Sequence, residues 1–315
     1  MNIHLYPARS KTVASALAFL VSVATITACS VPVFRYALEN WPADAYQAIV
    51  YHRGPLTTAQ EAILRDFTEK GAAGKLSANV KLQRVDIGER PAPDAGPMPR
   101  LVIRYPLGTR IPVDVWSGPL NAATVKAVLT SPARGELAKR IIKGDSATWV
   151  FLDTGDATAD NAAHTELTSQ LKRLESILKI PKPDPLDAEQ GLISVDQKAL
   201  SVKFSIIRLS RKDPKEQVFI QQLLGTEADL KDLKQPMAFP VFGRGRALYA
   251  LVGKGINRET VAEACSFLVG SCSCQVKEQN PGVDLLIAND WGGAVRKAAD
   301  TATGLPPLSG LPEIK

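Results

Sequence analysis

The chain has 315 residues, of which 45% are hydrophobic and 22% are charged, and its formal net charge is +6. This composition is typical of a globular protein of about two domains, and it excludes a fully disordered or collagen-like chain. Four cysteines are too few for a dense disulfide scaffold, and the lack of a second long apolar run excludes a multi-span membrane protein.

The first 28 residues predict an export signal. Arg9 and Lys11 precede an uncharged stretch from Val13 to Ala28, which is shorter than the ~20 residues a spanning helix needs. The stretch ends in Ile26-Thr-Ala-Cys29, which resembles the bacterial lipobox. The resemblance implies that Cys29 carries a diacylglycerol and, like other lipoproteins, a further acyl chain such as palmitate. The alternative is an ordinary signal peptide or N-terminal anchor with a chance cysteine.

Cleavage before Cys29 would leave a net charge of 36 − 32 = +4, because residues 1–28 hold two basic and no acidic residues. The stretch from Cys29 to Trp41 is similar to the start of an uncharacterised group of bacterial lipoproteins. We therefore expect a membrane-anchored lipoprotein of the cell envelope, facing the periplasm in a Gram-negative cell. The residue after Cys29 is Ser30 and not Asp. By analogy with the lipoprotein sorting rule of some Gram-negative bacteria, this favours the outer membrane over the inner one. Residues 29–45 are expected to be a linker.

The next part of the chain predicts an α/β unit. A capping-box pattern, Thr58-Ala-Gln-Glu61, starts a helix whose apolar face holds Ile63, Leu64 and Phe67. A second helix carries Val125 and Val128 and is interrupted at Pro132, beyond which the apolar stripe continues. The predicted strands are Tyr46–Tyr51, Val80–Ile87, Leu101–Tyr105 and Val113–Trp116.

A similar order of elements follows in the second half. A long helix is predicted from leucines at 167, 171, 174 and 178, Asp213-Pro214 is a helix-start signal, and Asn257 is expected to cap the last helix. The predicted strands are Trp149–Leu152 and Phe204–Leu209, with a β-hairpin of Phe239–Phe242 and Ala247–Val252 around Gly243 and Gly245.

This order, β-α-β and then β-β-α, resembles the thioredoxin fold in both halves. The predicted organisation is therefore two thioredoxin-like α/β domains in tandem, at 46–144 and 145–290, followed by a flexible tail at 291–315. The resemblance also implies a proline, usually with a cis bond, before the third strand, and Pro99 and Pro240 take that place. We expect these two prolines to mark peptide-binding faces.

The catalytic motif of the thioredoxin family is missing twice. Its Cys-x-x-Cys pair lies at the start of the first helix, where the helix N-terminus lowers the thiol pKa. The corresponding stretches are His52-Arg-Gly-Pro-Leu56 and Asp153-Thr-Gly-Asp156, neither of which contains cysteine. The inference is a non-catalytic use of the fold.

The remaining cysteines, Cys265, Cys272 and Cys274, cluster at the end of the last predicted helix. Cys265 falls on the apolar face of that helix, as a buried thiol would. Because exported thiols are often oxidised, a structural disulfide between two of the three, with the third left as a thiol, is expected. Redox activity and a soft-metal site for copper or zinc remain alternatives, since Cys-x-Cys presents two thiolates side by side.

Two histidines, His52 and His164, are candidates for catalysis. His52 could act as a general base beside Asp44 or Asp86, but a lone histidine is more often a surface or capping residue, and His164 is expected to face solvent. No set of residues supports a hydrolase, transferase or kinase, and the spread of basic residues among acids argues against nucleic-acid binding. The sequence therefore predicts a lipid-anchored module that binds an envelope or membrane protein, with thiol redox or metal handling as the alternative.

Overall fold

The computed structural model describes residues 29–68, 78–91, 96–273 and 275–303. It is an α/β structure in which helices pack on two mixed β-sheets. The predicted export signal at residues 1–28 lies outside the described residues. Within the described part of the chain, no helix is both long enough and apolar enough to cross a membrane.

The first sheet is made of β1 (Tyr46–His52), β2 (Val80–Asp86), β3 (Arg100–Arg104) and β4 (Asp114–Pro119). Its strand order is β2-β1-β3-β4; β1 and β2 are parallel, whereas β3 runs antiparallel to both β1 and β4. The helices α2 (Thr58–Thr68) and α3 (Ala122–Leu129) share one apolar core with this sheet, because alternate residues such as Tyr46, Ala48 and Val50 point to the same face.

The second sheet is built around β5 (Ala147–Asp153), which is parallel to β6 (Phe204–Ser210) and antiparallel to β7 (Met237–Phe242). The strands β8 (Arg246–Ala247) and β10 (Val283–Asp284) extend it beyond β7, in the order β10-β8-β7-β5-β6, and β9 (Leu251–Val252) also pairs with β7. The strand β5 is buried on both faces, as expected for a central strand of a covered sheet.

Each face of the second sheet has its own helices. The helices α4 (Pro132–Ile142) and α7 (Gln217–Leu224) share a core with Val150 and Leu152. On the opposite face, Trp149 and Phe151 lie in a core with α1 (Val33–Asn40), α5 (Ala157–Ile177) and α8 (Arg258–Val269). The remaining helices are α6 (Pro185–Glu189) and α9 (Trp291–Thr303).

Three predicted segment boundaries differ from the structure. The expected linker at 29–45 contains α1, which is buried because Val33, Phe34 and Ala37 fill the core against α8. Helix α4 lies before the predicted boundary at residue 144, yet it packs on β5 and β6 of the second sheet. The first part of the expected flexible tail is α9, which inserts Trp291 into the core.

The observed helix starts lie at the predicted residues or within a few residues of them. The Thr57 hydroxyl accepts from the Gln60 N–H and the Gln60 side chain accepts from the Thr57 N–H, so the reciprocal cap of α2 lies one residue before the predicted one. Asn257 caps α8 in a full capping box, as predicted. Asp213-Pro214 forms a turn instead of a helix start, and α7 begins only at Gln217.

Candidate functional site

The cysteines of the described region are buried together in the core that α1, α5 and α8 form on the second sheet. Cys265 and Cys272 are almost fully buried, and Cys29 is 3% exposed. Cys265 is a thiol and not half of a disulfide, and burial raises its pKa, so its nucleophilic thiolate is disfavoured. Cys274 lies outside the described residues, and in the rest of the described chain no three His, Cys, Asp or Glu residues are grouped as metal ligands.

Cys29 begins a segment that is bound tightly to the second sheet's helices. The Cys272 N–H donates to the Val31 carbonyl at 2.9 Å, and the Val33 N–H donates to the Gly270 carbonyl at 2.9 Å. The Ser30 N–H donates to Asp187 Oδ2 at 2.8 Å. Burial raises the pKa of the Cys29 thiol, and the neighbouring Asp187 carboxylate raises it further. The unmodified thiol therefore belongs to the packed core.

The loop after β1, which contains His52, Arg53 and Gly54, is held by its own polar contacts. His52 Nδ1 lies 2.7 Å from the Gly54 carbonyl, and the Arg53 guanidinium donates to the Gly88 and Arg90 carbonyls. The N–H of Gly88 donates to Asp86 and lowers the pKa of that carboxyl, with smaller help from Gly54 and His52. His52 is the register partner of Asp86 across β1 and β2, so of the two predicted carboxylate neighbours the structure places Asp86 beside it. Its contact with the Gly54 carbonyl also shapes the turn after β1.

The equivalent loop after β5 is fastened by a buried carboxylate. Asp160 accepts hydrogen bonds from the Thr154 N–H, the Thr154 hydroxyl and the Gly155 N–H, all at 2.9 Å. Burial acts to raise the pKa of Asp160, but these hydrogen bonds outweigh it and leave the pKa lowered. The loop after β5 is therefore a structural turn held by hydrogen bonds to Asp160.

His164 is half-buried on α5, against the expectation that it faces solvent. Its ring meets the Phe151 ring edge-to-face at 5.3 Å, and burial lowers its pKa, with a further contribution from Arg208. It lines a cavity of about 350 Å³ with Lys172, Glu175 and Ser205.

The two prolines predicted to mark peptide faces behave differently. The Met98–Pro99 bond is cis, directly before β3 and half-buried. Pro240 is not at the start of its strand; it lies in the middle of β7, buried, opposite Trp149, and its bond is not cis. A peptide cannot reach Pro240, because β7 is paired on both sides by β5 and β8. The proline that precedes β7 is Pro236.

A cavity that the sequence did not predict lies where the two sheets meet. It has a volume of about 500 Å³ and is lined from the first sheet by Asp44, Gln47, Leu107 and Thr109, and from the second by Arg246 and Lys277. We call it the junction cleft. Leu107, at the start of a short 3-10 turn (Leu107–Thr109), is 80% exposed, so the cleft has an apolar side chain in contact with solvent.

The two cations that line the junction cleft, Arg246 and Lys277, are buried and paired with carboxylates: the buried Asp284, which lies behind the lining, and Asp44, whose side chain is 43% exposed. Asp284 accepts from the Lys277 ammonium, from Arg246 Nη1 at 3.0 Å and from the Asp44 N–H at 2.6 Å. Lys277 also reaches Asp44 Oδ1 at 2.8 Å and the Pro42 carbonyl at 2.6 Å. Two cations and two carboxylates are therefore paired, and the cluster ties the strand β10 and the loop before it to the entry of β1.

Backbone carbonyls complete the coordination of the buried cations. Arg246 Nε donates to the Pro281 carbonyl at 3.0 Å and Nη2 to the Asn280 carbonyl at 2.9 Å, so that its fork holds the turn before β10. Tyr46 Oη donates to the Asp284 carbonyl at 2.7 Å, and burial raises its pKa well above the usual value. The cluster therefore makes a rigid, polar wall and shows no unpaired nucleophile.

A sequence signal for this cluster exists in hindsight. Arg246 stands before the apolar run Ala247–Val252, and Asp284 stands inside the apolar run from Val283 to Ala288. A charged residue within an apolar run predicts a buried charge that needs a partner.

Comparison with protein-family models, with curated proteins and with solved structures finds no match to this chain.

Proposed function

We propose that this chain is an exported, lipid-anchored protein of the cell envelope whose two thioredoxin-like units form a non-catalytic module that binds another envelope or membrane protein. The strand order supports the thioredoxin-like assignment. In both sheets a β-α-β unit gives two parallel strands, and the next strand joins antiparallel to the first and is followed by a further antiparallel strand and a helix.

The non-catalytic assignment rests on one observation: the composition and hydrogen bonding of the two loops that follow β1 and β5. Neither contains a cysteine, and the second is closed on itself by three hydrogen bonds to Asp160. Cys29, Cys265 and Cys272 are buried instead of lying at a helix N-terminus. Thiol exchange requires an accessible thiolate, so these contacts favour binding over redox chemistry.

The junction cleft is the binding site that we assign to the module. Its lip combines the exposed Leu107 with polar wall residues, and its paired charges give it a fixed shape. Concave sites of this size that join an apolar anchor point to placed polar groups are typical of ligand binding. A protein partner would place an apolar side chain against Leu107 and its backbone against the polar wall.

Lipid anchoring is compatible with the buried position of Cys29 through a small local change. Ser30 is held by Asp187 on both its N–H and its hydroxyl. Modification at Cys29 therefore requires only that residue to leave the core, while Ser30 keeps its place. The burial lost is that of one small side chain, whose transfer is worth about 1 kcal/mol.

The binding assignment is tested with a substitution on the lip of the cleft. The protein is extracted from native membranes in mild detergent and its native mass is measured, for the wild type, for Leu107→Asp and for Val113→Asp. Leu107 is 80% exposed and Val113 is 40% exposed, so neither substitution should unfold the chain. We expect a complex larger than the chain, lost only in Leu107→Asp. A complex that survives Leu107→Asp would contradict the assigned site.

The non-catalytic assignment is tested separately by insulin reduction with dithiothreitol as electron donor. We expect no turnover above the uncatalysed rate. Catalysis by the wild type that disappears in Cys272→Ser would overturn the assignment and favour a thiol-dependent activity.

A further inference from the structure

The first sheet has one face on which no described helix packs. Side chains alternate along β1, so the residues between those that pack on α2 and α3 point to the other side of the sheet. Strand register extends this second face, because Lys81 of β2 lies opposite Gln47. From β3, Arg104 lies opposite Gln47 and Val102 lies opposite Ile49. We call this surface the open face and define it by Gln47, Ile49, Tyr51, Lys81, Val102 and Arg104.

The open face is apolar at its centre and polar around it. Ile49 is 6% exposed and Val102 is 1% exposed, yet neither belongs to the apolar cores that the described helices form. Tyr51 is half-buried, and Lys81 and Arg104 are exposed. The central pair is therefore shielded by its longer neighbours on the sheet and not by a described helix.

The second sheet shows a covered version of the same face. Thr148, Val150 and Leu152 hold the equivalent positions on β5, since β1 and β5 each start their parallel ladder at their first residue. All three are fully buried, and Val150 and Leu152 share a core with α4 and α7. Helix α7 comes from the connection between β6 and β7. The described part of the equivalent connection, between β2 and β3, contains no helix.

The open face has the size of one short helix. Gln47 and Tyr51 are about 13 Å apart along β1, a length that a helix covers with about nine residues. A helix is about 10 Å wide, so it spans β1 and β3, which lie about 5 Å apart. Helix α7, with eight residues, fills the equivalent place on the second sheet. One helix of this length would cover Ile49 and Val102 together.

The charges on the open side of the sheet favour an acidic occupant. The four strands present three cations there, Lys81, Arg100 and Arg104, and one carboxylate, Asp114. Arg104 pairs with Asp114 at 2.7 Å, and the net charge of these groups is 3 − 1 = +2. Arg100 and Arg104 lie on either side of Val102 along β3, so the cations flank the apolar centre.

Charged groups at the two ends of the open face do not reverse this balance. The loops at the Tyr51 end hold two cations and two carboxylates, namely Arg53, Arg90, Asp86 and Glu89. At the Gln47 end, the cluster of the junction cleft pairs its two cations with two carboxylates. Arg110 and Glu278 add one charge of each sign at that end. The excess of positive charge therefore belongs to the open face itself.

We propose that the open face receives an amphipathic helix of the partner protein, with an apolar stripe over Ile49 and Val102 and carboxylates against the surrounding cations. This inference deepens the proposed binding and rests on it. Recognition of a helix in this way uses apolar anchors three and four residues apart, and charge-assisted hydrogen bonds fix its orientation. Gln47 also lines the junction cleft, so the two surfaces are continuous and one partner can contact both.

The test places a photoreactive phenylalanine derivative at position 51 of the full exported chain in native cells. Tyr51 is itself aromatic and half-buried, so the replacement suits the site. We expect an adduct with a different protein, and mass spectrometry identifies the crosslinked peptide. That peptide should have apolar residues three and four apart and more acidic than basic residues. An adduct with a second copy of this chain, or with a peptide that lacks either feature, would overturn the proposal.

The charge requirement is tested by Lys81→Glu in the same strain. Attraction to carboxylates becomes repulsion, so the adduct yield should fall by about fivefold or more, whereas Lys81→Arg should keep it. Lys126→Glu is the matched control, because Lys126 is also exposed but lies on α3, which packs on the other face of the sheet. A yield that Lys81→Glu leaves unchanged, or that both charge reversals lower equally, would contradict an acidic occupant.

A second labelled position separates this proposal from the proposed function. The same derivative replaces Leu107, on the lip of the junction cleft, in a parallel strain. With the protein folded and exported, an adduct from position 107 and none from position 51 would overturn the open face and leave the cleft as the binding site. An adduct from position 51 alone would support the open face and contradict the cleft. Adducts from neither position would overturn both.

Discussion

Replacing Asp284 by asparagine removes the carboxylate that holds the junction cleft together. The side chain of Asp284 is only 4% exposed, and it accepts from Lys277, Arg246 and the Asp44 N–H. Asparagine has nearly the same shape as aspartate and keeps one acceptor oxygen, but it carries no charge. Its NH2 group would face a cation. Two buried cations would then lose their main anionic partner.

The size of the effect follows from what each cation retains. Removing one partner of a buried ion pair costs about 3–5 kcal/mol of unfolding free energy. Lys277 keeps Asp44 and the Pro42 carbonyl, and Arg246 keeps the carbonyls of Pro281 and Asn280. The cations are therefore not fully stripped of partners, and we expect a loss of about 3 kcal/mol, at the lower end of that range.

The assay is urea unfolding followed by far-ultraviolet circular dichroism at pH 7, with Asp114→Asn as the matched control. Asp114 pairs with Arg104 at 2.7 Å, but the two side chains are 41% and 44% exposed, so its removal should cost less than about 1 kcal/mol. Lys277→Met/Asp284→Asn should cost less than the sum of its single changes. If Asp284→Asn costs no more than Asp114→Asn, the buried cluster is not a structural element of the cleft.

Other predictions concern the loops and helices around the second sheet. Asp160→Ala leaves three donors of the β5 loop without an acceptor and should lower the unfolding free energy by about 2–4 kcal/mol in the same assay, and an effect below about 1 kcal/mol would contradict the rigid turn. Because the pKa of His164 is lowered from 6.5 on folding, unfolding free energy should fall as pH drops below 6.5, and His164→Gln should flatten that slope; an unchanged slope would contradict it. Asn257→Ala should cost about 1 kcal/mol by removing the cap of α8, measured as a lower urea midpoint. Cys265 should resist iodoacetamide until the protein unfolds, and fast native alkylation would refute its burial.

Local elements could be predicted from the sequence because their signals are short-range. The strand patterns predict β1, β2, β5 and β6 close to their observed bounds. The predicted leucines 167, 171 and 174 are buried on α5, whereas Leu178 lies just past its end, and Asn257 caps α8 as predicted. The pairing of the strands agrees with the expected α/β class.

Long-range packing could not be predicted in the same way. Nothing in residues 29–45 distinguishes a linker from α1, because burial of that helix depends on α8, more than 200 residues later. Pro240 was misplaced for a similar reason, since only the pairing of β7 with β5 shows that it lies inside a strand. The junction cleft joins Asp44 to Lys277 and Arg246, and no local pattern brings these residues together.

The most direct test of the proposed function is photocrosslinking in native cells from the lip of the junction cleft. A photoreactive amino acid replaces Leu107 in one strain and Val113 in the other, and adducts are analysed after irradiation. Partner binding at the junction cleft predicts one discrete protein adduct from position 107 and none from position 113. Adducts equal in yield and size from both positions, or none from position 107 in a folded and exported protein, would contradict it.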